Sequence, residues 1–195
     1  MWKKTGEVVT WNSLNWGDGD NPAQISAINY HMVQALRTDL TGKQFENAVE
    51  IGAGYGRVTP WLAEFAEKVT AVEPNSDVRK YIDSYYPDII TIDEKVQGLQ
   101  LDSDRYDLVF TRSVLQHIPE DSIGEAANEI NRIADPNATL LLCEETEGVT
   151  DQKQLWPRTV DDYAELFDDF DLSKYWTRDA PAKTRNHTRT RMIFE

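Results

Sequence analysis

The chain is poor in the residues that build disulfide and metal frameworks. Its 195 residues include one cysteine, Cys143, and three histidines. A single cysteine cannot form an internal disulfide, and the apolar run around Cys143 indicates a small core residue. No group of His and Cys has the spacing of metal ligands, and the Asp pairs at 161–162 and 168–169 lack a calcium-loop pattern. We therefore expect no bound metal.

Long apolar runs are also missing. No stretch approaches the roughly 20 apolar residues that a membrane-spanning helix needs. Residues 1–7 contain lysines without an apolar segment behind them, so they do not resemble a signal peptide. An apolar content of 40% and six tryptophans favour a globular fold over disorder. We expect a cytoplasmic protein with one domain, in which a lid or helix segment (1–40) precedes the core (41–195).

Positive charge is scarce. Twenty Lys and Arg face 34 Asp and Glu, which gives a formal net charge of −14 at pH 7. Such a chain repels polyanions, so nucleic acid is a poor candidate for a substrate. The acidic excess is typical either of adaptation to salt or of ordinary solubility, and the composition favours neither.

Glycine is concentrated in one turn. Residues 50–56 read Glu-Ile-Gly-Ala-Gly-Tyr-Gly and follow a short apolar run. Glycine can adopt a positive φ and lets the backbone approach a ligand closely. This pattern predicts the strand–turn–helix opening of a nucleotide-binding unit. A second apolar run ends at Glu73, where an acid can accept hydrogen bonds from ribose hydroxyls.

Two common phosphate-binding patterns are absent. Arg57 stands where a dinucleotide fingerprint needs its third glycine. No Gly-Lys-Ser/Thr follows the glycines, which excludes a P-loop. A ligand without phosphate is therefore favoured, namely an adenosine with a compact polar tail.

Four motifs in order resemble those of the class I S-adenosylmethionine-dependent methyltransferases, in the small-molecule type related to ubiquinone biosynthesis. They are the glycine turn, Ala-Val-Glu-Pro at 71–74, Tyr-Asp-Leu-Val-Phe at 106–110 and Ser-Val-Leu-Gln-His-Ile-Pro at 113–119. The likeness covers residues 45–145 and is weaker on either side. It implies an α/β fold: a Rossmann-like, seven-stranded, mostly parallel sheet with helices on both faces and a final antiparallel strand.

Apolar periodicity gives the expected elements. Pro22 opens a helical pattern, Asn75 or Ser76 caps the helix after the second strand, and Thr159 with Asp162 resembles a capping box. The runs 172–177 and 188–194 fit a reversed final strand pair. The remaining predicted strands are 48–51, 69–72, 89–92, 107–111 and 139–143, and the other predicted helices are 58–67, 122–134 and 160–167.

The resemblance implies S-adenosylmethionine as the cofactor, with the glycine turn against its methionine and ribose. Glu50 would meet the amino end of the cofactor or would only orient the loop, and Glu73 would bind the ribose. The family places an Asp at the adenine, but this chain has Lys95 near that position. The expected cofactor residues are Glu50, Gly52, Ala53, Gly54, Tyr55, Gly56, Glu73, Pro74, Glu94, Val96, Gln97, Thr111 and Ser113.

The acceptor side offers fewer signals. His117 is the candidate catalytic base, since a reference pKa of ~6.5 suits proton transfer, although a structural histidine is the alternative. Arg112 could pair with an anionic acceptor, but surface pairing with Asp107 or Glu120 is favoured. The candidate substrate contacts are Trp16, Tyr30, His31 and Trp156, with core packing as the alternative for the tryptophans and Tyr30.

The resulting function hypothesis is methyl transfer to a small or medium-sized acceptor at O, N or C by in-line displacement. The Asn/Asp-Pro-Pro-aromatic motif is absent after the fourth strand, which argues against N-methylation of DNA bases. The alternative is a non-catalytic cofactor-binding or partner-binding module of the same fold. A protein or tRNA methyltransferase would draw only on the basic segment 183–191. The sequence does not determine the oligomeric state.

Overall fold

The computed structural model describes residues 22–147, 154–179 and 188–195. The chain divides into two compact units, Met1–Thr41 and Gly42–Glu195. In the first unit the described element is helix α1 (Pro22–Asp39), which begins at the proline that the sequence predicts as its start.

The second unit is built around one mixed sheet. Its seven strands have the order β3-β2-β1-β4-β5-β7-β6. Strands β1 to β5 pair in parallel, whereas β7 runs antiparallel to both β5 and β6. The predicted fold class is thereby confirmed. The strands are β1 (Phe45–Ile51), β2 (Ala66–Val72), β3 (Ile90–Ile92), β4 (Tyr106–Arg112), β5 (Ala134–Glu147), β6 (Leu172–Asp179) and β7 (Thr188–Phe194).

Helices α2 (Thr59–Leu62), α3 (Ser76–Tyr85), α4 (Ile123–Ile133) and α5 (Val160–Leu166) connect or follow the strands. Asn75 is the cap of α3, since its side chain accepts a hydrogen bond from the amide of Asp77 at 3.0 Å. The capping box of Thr159 and Asp162 at α5 is also confirmed.

The predicted helix 58–67 is wrong in length. Helix α2 covers Thr59–Leu62, and β2 already begins at Ala66. The first strand extends back to Phe45, which pairs with Ala66 and donates its amide to the Phe65 carbonyl at 2.8 Å. Pairing with β1 therefore places Ala66 and Glu67 in β2, although the apolar period predicted them in the helix.

The predicted fifth strand, 139–143, is too short, because β5 begins at Ala134, directly after α4 ends at Ile133, and runs through residues 135–137. Tyr106 pairs with Ala134, but Leu108 pairs with Thr139, so the β5 side carries extra residues at this point. A β-bulge of this kind tolerates Pro136, which has no amide hydrogen to give to the ladder. Residues 135–137 therefore form an irregular part of β5 and do not interrupt the strand.

Two layers of helices cover the sheet of the second unit. Val72 belongs to the large core cluster, whereas its neighbour Ala71 packs with Ile82 of α3. Adjacent strand residues point to opposite faces, so α3 and the large cluster lie on opposite sides. That cluster joins the strands to α4 and α5 through Val49, Ile51, Val109, Leu140, Leu142, Ile130, Ile133, Tyr163 and Phe167.

Burial of both faces fixes the carboxyl ends of the central strands. Cys143 of β5 is fully buried, in agreement with its expected place in the core. The strand order reverses between β1 and β4, and open α/β sheets bind ligands in the crevice at such a switch point. The fold therefore directs attention to the loops after β1, β2, β4 and β5.

Candidate functional site

The glycine turn lies at the switch point of the sheet. Gly52, Gly54 and Gly56 all have left-handed φ values of 71°, 58° and 75°. Amides of Gly52 and Ala53 both donate to the Val72 carbonyl, at 2.8 and 3.0 Å, so β2 holds the turn. The turn therefore needs the conformational freedom that the sequence supplies.

The glycines differ in what their missing side chains allow. A Cβ on Gly52 would lie 2.4 Å from a methyl of Val114, so Gly52 serves the packing of the loop after β4. A Cβ on Gly54 would meet nothing within 4 Å. Gly54 thus presents bare backbone to open space, which is the geometry that a close-approaching ligand requires.

Glu73 joins the glycine turn to the start of α3. Its Oε2 accepts the Gly54 amide at 2.9 Å, and its Oε1 accepts the Asn75 amide at 2.8 Å. Burial raises the pKa of Glu73, while the two amide bonds act in the opposite direction. Each carboxylate oxygen has a further lone pair, so the expected bond to a ribose stays a prediction.

Glu50 is a buried acid at the same edge of the sheet. It is 3% exposed, and its Oε2 accepts the Thr59 hydroxyl at 2.5 Å. Burial raises its pKa to about 7, while Thr59, Arg112 and Arg57 lower it. The contact with Thr59 ties the end of β1 to α2, which is the loop-orienting role that the sequence left open.

Glu144, at the carboxyl end of β5, was missed by the sequence reading. Its carboxylate accepts the Thr111 hydroxyl at 2.8 Å and the amides of Val114 and Gln116 at 3.0 and 3.2 Å. Burial raises its pKa, and these three donors lower it. The available signal was its position, since Glu50, Glu73 and Glu144 each follow or end a buried apolar run.

The hydrogen bonds of Glu144 fix the loop after β4. Ser113 has a left-handed φ of 56°, and its amide donates to the Cys143 carbonyl at 2.9 Å. Thr111 is fully buried with its hydroxyl on Glu144. Both residues lie at the expected edge of the sheet, and their contact with a cofactor stays a prediction.

The segment expected at the adenine forms a short 3-10 turn, Val96–Gly98. Val96 is buried and Gln97 is half-buried, whereas the Glu94 carboxylate accepts the amide of Gln100 at 2.7 Å. Elsewhere at the edge, Pro74 is exposed and the Tyr55 ring lies edge-on to Tyr81 at 5.2 Å. Cofactor binding by Glu94, Val96, Gln97, Pro74 and Tyr55 stays a prediction.

His117 contacts the chain after the undescribed segment 148–153. Its Nδ1 lies 2.9 Å from the carbonyl oxygen of Gln154, an arrangement in which Nδ1 carries the hydrogen. The amide of half-buried Trp156 donates to the Gln116 carbonyl at 2.7 Å. Catalysis by His117 and substrate contact by Trp156 remain predictions.

The favoured surface pairing of Arg112 is wrong. Asp107 accepts two amides at the start of β1, at 2.7 and 2.9 Å, and Glu120 pairs with Arg158 at 2.8 Å. Burial and the neighbouring Arg57 lower the pKa of Arg112 to about 9. Arg112 is the last residue of β4, opposite the buried Cys143, and this position keeps it away from the surface acids.

Three of the predicted substrate contacts, Trp16, Tyr30 and His31, belong to the first unit. Trp16 is outside the described residues. Tyr30 and His31 are exposed on α1 of the first unit, with ring centroids 5.8 Å apart. Their contact with a substrate stays a prediction.

Within the described residues, no helix combines the length and apolarity required to cross a membrane. Among the same residues, His, Cys, Asp and Glu do not gather in groups of three or more that could hold a metal ion.

Comparison with known proteins agrees with the motif order. Residues 49–142 match the family model of a methyltransferase domain. A malonyl-[acyl-carrier protein] O-methyltransferase of Salmonella typhimurium is 22% identical over 142 residues, which are 72% of this chain and 55% of that protein. The chain thus spans about half the length of this curated relative. The family resemblance read from the four motifs is confirmed.

Solved structures share the fold. A SAM-dependent methyltransferase of Leishmania major superposes with a TM-score of 0.72 at 15% identity, over 88% of this chain and 74% of that one. A second, from Methanosarcina mazei, has a TM-score of 0.69 at 15% identity, over 82% and 95% of the two chains. At this identity the likeness bears on the fold alone.

Proposed function

We propose that this protein binds S-adenosylmethionine in the crevice between β1 and β4 and transfers its methyl group to a small or medium-sized acceptor, because residues 49–142 match the family model of a methyltransferase domain. The observation that carries the proposal is the hydrogen bond from the Gly54 amide to Glu73. This bond joins the ends of β1 and β2 and holds a left-handed turn whose outer side is open at Gly54.

The residues present fit the cofactor. The bare backbone at Gly54 accommodates close approach of the methionine and ribose portions. Glu73 retains lone pairs for ribose hydroxyls, and the buried Glu50, with a pKa of about 7, would ionise against a cationic amino group. The turn at Val96–Gly98 lies after β3, where the adenine is expected.

When bound, the cofactor supplies an activated methyl group on a cationic sulfur. The chain's own part is to position the acceptor and to exclude water. Glu144 fixes two amides of the loop after β4, so this wall of the crevice is held before any ligand arrives. His117 has Nδ1 on the Gln154 carbonyl and Nε2 at 3.4 Å from the side-chain nitrogen of Gln116, and Nε2 would exchange this contact for the proton of a hydroxyl or ammonium acceptor.

The described contacts support a small acceptor over a protein or tRNA. Of the basic segment, Arg189 pairs with Glu145 at 3.0 Å, and Arg191 lies over the Trp176 ring at 4.8 Å. Both arginines therefore contact the chain's own sheet, and residues 183–187 lie outside the described part. The Salmonella relative is an O-methyltransferase, which makes oxygen the first acceptor atom to test.

Isothermal titration of S-adenosylhomocysteine into the wild type, Glu73→Ala and Glu67→Ala tests the proposal. We expect binding by the wild type and affinity weakened roughly tenfold or more in Glu73→Ala, a loss of about 1.4 kcal/mol, because the turn loses its carboxylate anchor. Glu67→Ala is the matched control. It removes an exposed carboxylate from the amino end of the same strand and should bind as the wild type does.

Absence of binding by the folded wild type would refute the proposal. Undiminished affinity in a Glu73→Ala variant whose circular dichroism matches the wild type would do the same for the assignment of the site. Binding without turnover across a metabolite screen would favour the alternative, a non-catalytic module of the same fold.

A further inference from the structure

Two arginines flank the small Cys143 across three neighbouring strands. Arg112 of β4 pairs with Cys143 of β5, and Cys143 pairs with Arg191 of β7. Side chains of directly paired residues project from the same face of a sheet. Arg112 and Arg191 therefore lie on one face, on either side of a residue too small to separate their guanidinium groups.

Two further arginines complete what we call the arginine cluster: Arg57, Arg112, Arg189 and Arg191. Arg189 lies two residues before Arg191 on β7, hence on the same face, and pairs with Glu145 at 3.0 Å. Arg57 directly follows the glycine turn. Burial lowers the pKa of both Arg112 and Arg57, and charge repulsion lowers them further, from Arg57 and Arg189 at Arg112 and from Arg189 at Arg57.

The cluster lies beside the glycine turn. Thr111 pairs with Ile51 in the register of β4 with β1, so Arg112 comes level with the start of the turn at Gly52. Glu50, on the same face as Arg112, interacts with both Arg112 and Arg57. The arginine cluster is thus placed at the edge of the sheet that carries the glycine turn.

These half-buried arginines share the edge with two buried acids, Glu50 and Glu145, and titratable groups perturbed by burial and by neighbouring charges occur preferentially at functional sites. In this chain the cluster stands out because acids outnumber bases by 34 to 20. Guanidinium groups match carboxylate and phosphate oxygens in bidentate geometry. The Trp176 ring, 4.8 Å from the Arg191 guanidinium carbon, holds that group in a fixed orientation by a cation–π contact.

We propose that the arginine cluster binds the carboxylate or phosphate of an anionic methyl acceptor and so selects its substrate class. The inference rests on the proposed function, because it assigns the acceptor side of the same crevice. Arg112 and Arg57 are the positions nearest the glycine turn and would contact the anion, while Arg189 and Arg191, held on the sheet by Glu145 and Trp176, add positive charge beside them.

The test is calorimetric titration of malonate, inorganic phosphate and neutral malonamide into protein saturated with S-adenosylhomocysteine. The variants are Arg112→Gln and Arg57→Gln, with Arg105→Gln as the matched control, since Arg105 is exposed at the opposite end of β4. We expect the wild type and Arg105→Gln to bind malonate or phosphate but not malonamide. Both cluster variants should bind the anion roughly tenfold more weakly while keeping their affinity for S-adenosylhomocysteine.

The anion that binds identifies the charged group of the acceptor as carboxylate or phosphate. If Arg112→Gln does not fold, Arg57→Gln and Arg191→Gln decide the question. The inference is overturned if neither anion binds the saturated wild type, or if the cluster variants bind it equally well. It is also overturned if those variants lose S-adenosylhomocysteine instead, because the cluster would then hold the cofactor's own carboxylate. Failure of the wild type to bind S-adenosylhomocysteine would refute the proposed function itself.

Discussion

At the scale of single residues, three buried glutamates show how partners decide the behaviour of one side-chain type. Glu73 accepts two backbone amides, and Glu144 accepts one hydroxyl and two amides. Glu50 accepts the Thr59 hydroxyl and is 3% exposed. Its burial outweighs this hydrogen bond and the charges of Arg112 and Arg57, which explains a pKa of about 7.

The pKa of Glu50 predicts a pH-dependent effect of Glu50→Gln on stability. The folded-state pKa of about 7 lies above the ordinary value of 4.5 for a glutamate, so ionisation of Glu50 costs stability as the pH rises through this window. We expect the variant to gain on the order of 1–3 kcal/mol in the free energy of unfolding relative to the wild type at pH 8, with a much smaller difference at pH 5.

Urea unfolding at the two pH values measures this difference. Glu67→Gln, which alters an exposed acid of β2, should show no comparable change with pH. A Glu50→Gln effect of equal size at both pH values would show that ionisation of Glu50 carries no cost in the folded state.

At the scale of elements, the loop after β4 is fixed from two sides. Glu144 of β5 binds its amides, and Arg158 binds its carbonyls. Arg158 is 4% exposed and donates to Leu115 at 3.0 Å and Ile118 at 2.8 Å. Its partner Glu120 is a surface group, with a side chain that is 78% exposed. The bonds of Arg158 to backbone therefore carry more of its stabilising effect than the ion pair does.

This difference predicts unequal effects for the two partners of the ion pair. Arg158→Leu should lower the free energy of unfolding by roughly 2–3 kcal/mol, because buried carbonyl groups lose their donor. Glu120→Ala should cost less than about 1 kcal/mol, as exposed ion pairs contribute little. Denaturant titration of both variants measures the two values, and equal losses would assign the effect to the ion pair instead.

The elements also show which sequence signals are reliable. The caps at Asn75 and Thr159 were predicted because each depends on a side chain and amides within three residues. Helix α2 and the start of β5 were predicted wrongly, because their extents depend on pairing with β1 and β4. Local chemistry determines where an element can begin, whereas strand pairing determines how far it extends.

At the scale of the whole molecule, the net charge of −14 implies repulsion within the folded chain. Salt screens such repulsion, with a Debye length of about 10 Å at 0.1 M. We expect the midpoint of urea unfolding at pH 7.5 to rise as sodium chloride increases from about 0.05 to 0.5 M.

The control is the same salt series at an acidic pH where the net charge approaches zero, because the increase should then largely disappear. An unchanged midpoint at pH 7.5 would mean that the acids are spread too widely to repel one another appreciably. The measurement also bears on the two interpretations of the acidic composition, salt adaptation and ordinary solubility.

The sequence by itself determined the glycine turn, the acids that end β1 and β2, and the alternation of strands and helices. These features are local, since they depend on missing Cβ atoms and on the period of apolar residues. The tertiary structure alone decided that Glu73 binds the Gly54 amide, that Glu144 holds the loop after β4, and that Arg112 and Arg191 flank Cys143. Such contacts join residues far apart in the chain, and they exist only because burial of both sheet faces fixes which strands are neighbours and in which register.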